Sequence, residues 1–172
     1  ANRFSHWSGN ESLATYPFVE NTYAPFSPLK RALPLTNLAL ITSAGAYIDG
    51  TNPFDTISRD GDISYREIPI EVEAEDLQYA ARGYDTQFVR EDRNCQIPID
   101  RLLEYEANGV IGKLNNVWWT MNGFMPNAGR VAEELAPKIA ERIHRYECHA
   151  VLLIPASRLC HQTLGIVARA IE

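Results

Sequence analysis

The densest group of chemically capable side chains lies near the carboxyl terminus. Within six positions the chain carries Ser157, Arg158, Cys160, His161 and Gln162. A thiolate can act as a nucleophile, a redox centre or a metal ligand, and the positive end of a helix stabilises it. Because a helical pattern begins at Cys160, the spacing predicts a reactive thiol that faces open space at a helix N-terminus, with Arg158 beside it. The alternative is an inert buried cysteine next to a helix cap formed by Ser157.

Two Cys-His pairs invite a comparison with zinc sites. Cys148-His149 and Cys160-His161 flank an apolar run of five residues, and a strand of that length separates them by roughly 17 Å. A metal site within one chain is therefore not predicted. A phosphate loop is not predicted either, because the turn after the first apolar run, Ser43–Ala46, has a single glycine. We expect no cofactor.

Apolar patterning predicts the elements that must position these groups. Continuous apolar runs at Asn37–Thr42 and Ala150–Ile154 are typical of strands buried on both faces. An apolar stripe from Val131 to Tyr146 predicts a helix, in which Pro137 either causes a kink or stands in the first turn of a restarted helix. The pattern in Cys160–Glu172 predicts a second helix.

Three further elements are predicted from weaker signals. Ser64–Val72 alternates partly, and Pro69 favours an edge position for that strand. Cys95–Ile99 is predicted as another strand, and Asp100–Ala107 as a short helix with Asp100 as its N-cap. Together the elements predict an α/β fold, Rossmann-like or flavodoxin-like, with a small parallel sheet flanked by helices.

The proline distribution divides the chain into two parts. Residues 1–36 contain prolines that interrupt every candidate helix, namely Pro17, Pro25, Pro28 and Pro34. We predict an extended arm there, and its many aromatic residues indicate packing across the domain or onto a partner. Residues 37–172 are predicted to form a single α/β domain. Because that domain has few strands, a second copy could complete its sheet or cover the sheet edge.

Composition excludes several classes of protein. The 172 residues carry a net charge of −6, and the stretch Ser58–Glu106 alone carries −7. Such an acidic region repels phosphate backbones, so nucleic-acid binding is not expected. No apolar run reaches the length of a membrane span, and three irregularly spaced cysteines do not form a disulfide framework. The expected location is the cytoplasm.

A second candidate binding segment follows the first apolar strand. In open α/β sheets, ligands bind beyond the carboxyl ends of the strands. Two segments satisfy this rule, Thr42–Tyr47 and Pro155–Gln162. Ser43, Gly45 and Tyr47 are therefore candidate substrate-binding residues.

Eight sequence blocks, in order, carry a family resemblance. They are Ala24–Lys30, Leu38–Tyr47, Asn52–Asp55, Gly61–Pro69, Gly83–Thr86, Pro98–Leu102, Gly109–Gly112 and Ala150–Glu172. In these blocks the chain resembles the glycine/sarcosine/betaine/D-proline reductase family, in its selenoprotein B-type component. The resemblance implies a thiol- or selenol-based reductase that cleaves a carbon–heteroatom bond, usually within a multi-subunit complex.

The resemblance also implies roles for individual residues. Cys160 matches the cysteine of the family's P-x-x-x-x-C-H-Q block, which makes Cys160, His161 and Ser157 the predicted catalytic group. Asp62, Tyr65 and Arg66 match the G-D-x-S-Y-R block. The predicted substrate-binding residues are then Ser43, Gly45, Tyr47, Asp62, Tyr65, Arg66, Arg158 and Gln162.

The chain departs from the family pattern at Ser157. In similar proteins this position is often a cysteine or selenocysteine, which forms a redox pair with the position of Cys160. Two thiols can deliver two electrons by closing a disulfide, and one thiol cannot. Either Cys160 acts alone as a nucleophile or sulfur carrier, or its partner comes from elsewhere, or the site is degenerate. A natural serine and an engineered Cys→Ser change look the same here.

These observations support three hypotheses about function. The first is an oxidoreductase-family, reductase-like enzyme that uses Cys160 on a C–N or C–S bond of a small amino-acid-like substrate; the serine also allows single-thiol lyase or transferase chemistry. The second is a non-catalytic assembly subunit of a reductase complex that has lost the redox pair. The third is a small-ligand binding module. The expected partners are a small-molecule substrate and either a second copy or a related reductase subunit, with no nucleic acid and no membrane.

Overall fold

The computed structural model describes residues 22–158 and 160–172. Its strands are β1 Asn37–Thr42, β2 Ala46–Ile48, β3 Tyr65–Pro69, β4 Leu77–Tyr79, β5 Lys113–Leu114, β6 Val117–Met121 and β7 Ala150–Ile154. Its α-helices are α1 Gln87–Glu91, α2 Ile99–Ala107, α3 Ala128–Arg130, α4 Ala136–Arg145 and α5 His161–Ile171. A π-helical segment, Val131–Leu135, joins α3 to α4, and short 3₁₀ helices occupy Leu33–Leu35, Ala74–Asp76 and Arg93–Cys95.

The main sheet is built around β1. This strand pairs in parallel with β7 along one edge and with β5 and β6 along the other. β3 joins the far side of β6 in the antiparallel direction, and β2 and β4 form a separate antiparallel pair. The predicted α/β class is confirmed. The sheet is mostly parallel, and because of its antiparallel edge strand the Rossmann-like description fits only loosely.

Alternation along the central strands sends side chains to two cores. Leu40 and Trp118 face the core that β4, α1 and α2 cover. Ile41 and Trp119 face the opposite core, which α4 and α5 cover. Burying each such side chain contributes roughly 1.5–3 kcal/mol to the free energy of unfolding. The apolar runs of the sequence are explained by these two covered faces.

Several predicted elements are confirmed. The strands Asn37–Thr42 and Ala150–Ile154 have the predicted bounds. Pro137 stands in the first turn of α4, which is the restarted helix among the two alternatives. The strand that contains Pro69 lies at the edge of the sheet, as its proline indicates.

Other predictions are wrong. Cys95–Ile99 is not a strand, because its ends belong to a 3₁₀ helix and to α2. Asp100 is not the N-cap of α2, since the helix begins at Ile99 after Pro98, and the Asp100 carboxylate instead accepts a 2.7 Å bond from the nearly buried Arg93 guanidinium. The strand β7 is half-buried throughout rather than buried on both faces, because only β1 pairs with it among the described residues.

The described part of the predicted arm runs beside α5. Ser27 Oγ donates to the Glu172 carbonyl at 2.8 Å, and the Arg169 guanidinium bonds the Tyr23 carbonyl. Tyr23 and Phe26 are exposed. The other predicted arm aromatics, such as Trp7 and Tyr16, lie outside the described residues. Within residues 22–158 and 160–172, no helix combines the length and the apolar character needed to cross a membrane.

A half-buried ion pair ties the edge strand β3 to helix α4. Glu67 accepts a bidentate bond from Arg142, with one of the two distances at 2.7 Å, and a 3.2 Å bond from Trp119 Nε1. The Arg142 hydrogen bond lowers the pKa of Glu67 against the opposing effect of desolvation. This carboxylate therefore stabilises the fold in its ionised form.

We expect Glu67→Gln to lower the free energy of unfolding by about 1–3 kcal/mol at pH 7, because Arg142 loses its charged acceptor. Since the folded pKa lies below the unfolded one, the contribution is present above pH ~4.3 and disappears as the pH falls through the folded pKa. Urea unfolding between pH 7 and pH 3 measures both effects. The control is Glu134→Gln in the exposed Arg130–Glu134 pair, which should change stability far less. Equal effects of the two variants would contradict the prediction.

Candidate functional site

The carboxyl ends of three parallel strands meet at one edge of the sheet. Ser43 follows β1, and its N–H donates to the carbonyl of Ile154, the last residue of β7, at 3.2 Å. The Ser43 hydroxyl accepts a 2.9 Å bond from the N–H of Ala156. These two bonds fasten the loop after β7 to the loop after β1, and they set the position of the chain that leads into α5.

Cys160 lies at this edge as the N-cap residue of α5. Its Sγ is 3.1 Å from Ser157 Oγ, so the two side chains are in direct hydrogen-bond contact. Cys160 is only 1% exposed, and the expectation of a thiol facing open space is therefore wrong. The Cys160 N–H donates to the Ser157 backbone carbonyl at 3.0 Å, and a helix cap formed by the Ser157 side chain stays a prediction.

Gly123 explains how the sulfur is accommodated. It follows β6 by two positions, and a Cβ placed on it would lie 2.1 Å from Cys160 Sγ and 2.8 Å from Ser43 Cβ. Only a residue without a side chain allows the thiol to occupy this place. The Gly123 carbonyl accepts a 2.9 Å bond from the Thr163 hydroxyl, which holds the first turn of α5 against the loop.

The other predicted residues of the carboxy-terminal segment lie around the start of α5. His161 Nδ1 bonds the Arg158 carbonyl, and because a carbonyl only accepts, Nδ1 carries the proton. His161 and Arg158 are exposed, and Gln162 is half-buried in the first turn of the helix.

The loop after β1 contains only part of the predicted substrate-binding set. Gly45 has φ of +67°, and a Cβ there would lie 2.4 Å from the Ala80 carbonyl oxygen, so the close approach requires glycine. Tyr47 lies in β2 opposite Gln78. Among the described contacts, none joins Tyr47 to the neighbours of Cys160.

Asp62 and Arg66 share a hydrogen-bonded cluster around Ser64 at the edge strand β3, whereas Tyr65 packs toward the core on the other face of that strand, near Glu67. Asp62 accepts bonds from the Asp55 N–H at 2.8 Å and from the Ser64 hydroxyl. The Arg66 guanidinium donates to Ser64 Oγ at 2.8 Å and lies 4.2 Å from the centre of the Phe54 ring. No described contact brings these three residues together with Cys160, and their role in a substrate pocket stays a prediction.

Two nearby residues were not singled out as site residues from the sequence. Tyr84 donates a 2.5 Å bond to the Ala44 carbonyl, and burial first, with smaller contributions that include Cys160, raises its pKa far above the ordinary value. The Arg82 guanidinium lies 4.4 Å from the centre of the Phe124 ring. The only sequence signal for Tyr84 is its place in the Gly83–Thr86 block.

The arrangement can support thiol chemistry at one place. It combines a sulfur, a hydroxyl in contact with that sulfur, and the amino terminus of an eleven-residue helix. Cys148 and Cys95 lack this setting: desolvation raises the pKa of the half-buried Cys148 to about 11, and burial, followed by Asp92, raises that of Cys95. Of the three thiols, Cys160 is the chemical candidate.

Comparison with known proteins assigns the chain to a family. Residues 7–156 match the glycine/sarcosine/betaine reductase selenoprotein B family, a match that ends one residue before Ser157. The D-proline reductase subunit gamma of Acetoanaerobium sticklandii is 33% identical over 150 residues, which cover 86% of this chain and 60% of that protein.

Two further relatives extend the match along the chain. The glycine reductase complex component B subunit gamma of Symbiobacterium thermophilum is 30% identical over 95% of this chain and 38% of its own length. The sarcosine reductase complex component B subunit beta of Peptoclostridium acidaminophilum is 25% identical over 96% of this chain and 38% of its own length. No solved structure matches significantly. The chain thus spans between 38% and 60% of the length of these relatives, and it belongs to the glycine/sarcosine/betaine reductase selenoprotein B family.

Proposed function

We propose that this chain is a thiol-dependent enzyme subunit that acts through Cys160 on a C–N or C–S bond of a small amino-acid-like substrate. The observation that carries the proposal is the 3.1 Å contact between Ser157 Oγ and Cys160 Sγ at the start of α5. In similar proteins the position of Ser157 often holds the second redox atom, and the contact means that the two positions are within reach of each other. The relatives named as D-proline, glycine and sarcosine reductase subunits support the substrate class.

Each group around the sulfur has a role in this proposal. Cys160 is the nucleophile, and the helix amino terminus stabilises its thiolate. The Ser157 hydroxyl donates a hydrogen bond to that thiolate. His161, with its proton on Nδ1, presents Nε2 as a base that can take up or return a proton. The Arg158 side chain adds positive charge at the same helix end.

The proposed first step is a displacement. The Cys160 thiolate attacks the substrate carbon, an S–C bond forms, and the C–N bond breaks with its electron pair leaving on the amine, which takes a proton. Reductive release then needs a second thiol or selenol, because the hydroxyl of Ser157 cannot supply two electrons. We assign that group to a partner subunit: it attacks the Cys160 sulfur, the S–C electron pair passes to the carbon, which is protonated, and a disulfide or selenenyl sulfide remains.

Only some of the other predicted pocket residues lie near the Cys160 segment. Ser43 and Gly45 belong to the loop after β1, which contacts the segment before Cys160 through Ser43. We therefore retain both as proposed substrate-binding residues. Tyr47, Gln162, Asp62, Tyr65 and Arg66 are retained only as candidates from the sequence. The partner remains a related reductase subunit or a second copy, and the cytoplasmic location remains a prediction.

Intact-protein mass spectrometry tests the proposal directly. The chain, in complex with partner subunits that are fully oxidised and therefore cannot release an adduct, is incubated separately with D-proline, glycine, sarcosine and betaine, without a thiol reductant. We expect one of these to leave a covalent mass increase on the peptide that contains Cys160. The increase should disappear in Cys160→Ala, because no other thiol has the same setting.

Cys95→Ala and Cys148→Ala are the matched controls, and both should keep the adduct. An adduct that persists in Cys160→Ala would contradict the proposal. So would the absence of any adduct on a complex that turns over one of the four compounds.

A non-catalytic assembly subunit is the second candidate, and one observation favours it. Cys160 is 1% exposed while the adjacent redox position is serine, which is what a site retained only for packing would show. In that case Cys160→Ala would leave the turnover of the complex unchanged. The edge of β7 away from β1, which pairs with no strand in residues 22–158 and 160–172, would then serve the assembly role.

A further inference from the structure

We infer that the segment Ala80–Tyr84 covers Cys160, that Tyr84 holds this cover closed, and that Arg82 selects anionic molecules for entry. The inference rests on the proposed role of Cys160 for its biological meaning. It goes beyond that role by naming the residues that control access to the sulfur and the charge class that they admit.

The segment is anchored to the loop after β1 at two points. The Ala80 N–H donates to the Gly45 carbonyl at 2.9 Å, and the Tyr84 hydroxyl donates to the Ala44 carbonyl at 2.5 Å. Ser43, which precedes Ala44, packs beside Gly123, the glycine that makes room for the Cys160 sulfur. The anchors therefore hold the segment next to the wall of the thiol site.

A third anchor lies on the loop after β6. The Arg82 guanidinium lies 4.4 Å from the centre of the Phe124 ring and donates to the Ser58 carbonyl at 3.2 Å. Phe124 directly follows Gly123, the glycine that contacts Cys160. The segment thus bridges the loop of Gly123, which packs against the sulfur, and the loop of Ser43, which packs beside Gly123; a cover at this position would account for a thiol that lies at a sheet edge and is yet 1% exposed.

The chemistry of the anchors assigns them different roles. Tyr84 is buried enough that its pKa is raised, so its hydroxyl stays protonated and donates one uncharged hydrogen bond, which closes the segment without selecting charge. Arg82 is exposed and carries a permanent positive charge on the segment itself. Although the stretch Ser58–Glu106 as a whole is acidic, the local charge of Arg82 attracts a small carboxylate at short range, whereas a neutral molecule of the same size feels no such attraction.

Alkylation of Cys160 with a matched pair of reagents tests the inference without substrate. Iodoacetamide is neutral and iodoacetate is anionic, and labelling of each cysteine is followed by peptide mass spectrometry. A covered thiol reacts in proportion to the population of the open state. We expect Tyr84→Phe to accelerate both reagents at Cys160 by about threefold or more, because one closing hydrogen bond is lost.

Arg82→Gln gives the second readout. We expect it to lower the ratio of the iodoacetate rate to the iodoacetamide rate at Cys160 by about threefold, a change that loosened packing alone would not cause. Tyr105→Phe and Arg101→Gln, both on the exposed surface of α2, are the matched controls and should change neither quantity. Cys148 labelling should stay slow in every variant, which confirms that the fold is intact.

The outcomes separate this inference from the proposed function. If wild-type Cys160 reacts as fast as the exposed Cys95, or if Tyr84→Phe leaves its rate unchanged, the segment is not a cover. If Arg82→Gln leaves the ratio unchanged, Arg82 does not select charge. Either result could occur while a substrate adduct still forms on Cys160, and the expected labelling could be seen with no adduct at all.

Discussion

Replacing Ser157 by cysteine is expected to produce a chain that closes a disulfide between positions 157 and 160. The present Oγ and Sγ atoms are 3.1 Å apart, so two sulfurs at these positions need only a small movement to bond. The wild-type chain has three thiols, and the variant has four until it oxidises. Closing the bond converts a site limited to single-thiol chemistry into one that can exchange two electrons.

Thiol counting and intact mass measure this result. After mild oxidation, denatured Ser157→Cys should show two thiols and a loss of about 2 Da, and both should revert on reduction. Ser27→Cys, which places the new thiol beside Glu172 at the far end of α5 from Cys160, should retain all its thiols. If the oxidised Ser157→Cys chain keeps four thiols, the contact between the two side chains is not present in solution, and the main support for the proposed function is lost.

Gly123→Ala is expected to destabilise the protein strongly at the same place. The new methyl group would lie 2.1 Å from Cys160 Sγ and 2.6 Å from Cys160 Cβ, and none of these atoms is the end of a long flexible side chain. Overpacking of this kind costs about 1–3 kcal/mol of the free energy of unfolding. Urea unfolding measures the cost.

A double-mutant cycle with Cys160→Ala assigns that cost to the sulfur. Removing Sγ relieves the shortest contact but leaves Cβ, so the double variant should recover part of the stability. Gly165→Ala is the opposite control: nothing lies within 4 Å of that position in α5, so alanine should stabilise the helix by roughly 0.5–1 kcal/mol. Additive effects of Gly123→Ala and Cys160→Ala would show that the two residues do not touch.

Local patterns in the sequence were sufficient for the class of fold and for its principal elements. The strands Asn37–Thr42 and Ala150–Ile154 and the helix after Cys160 are confirmed, because each depends on a short continuous pattern of apolar residues. The predicted strand Cys95–Ile99 is wrong because its buried residues, Ile97 and Ile99, lie in the connection after a 3₁₀ helix and at the start of an α-helix. Burial and strand structure leave similar patterns over five residues.

The surroundings of the thiol required the tertiary structure. Gly123 and Tyr84 lie 37 and 76 positions from Cys160, and only the order of β6, β1 and β7 in the sheet brings their loops together. The exposure of Cys160 likewise depends on segments that no local pattern relates to it. The sequence alone determines the α/β class, the family resemblance and the presence of a cysteine at a helix start. Long-range packing decides which atoms surround that sulfur, because side-chain contacts between distant segments follow from strand order and not from periodicity.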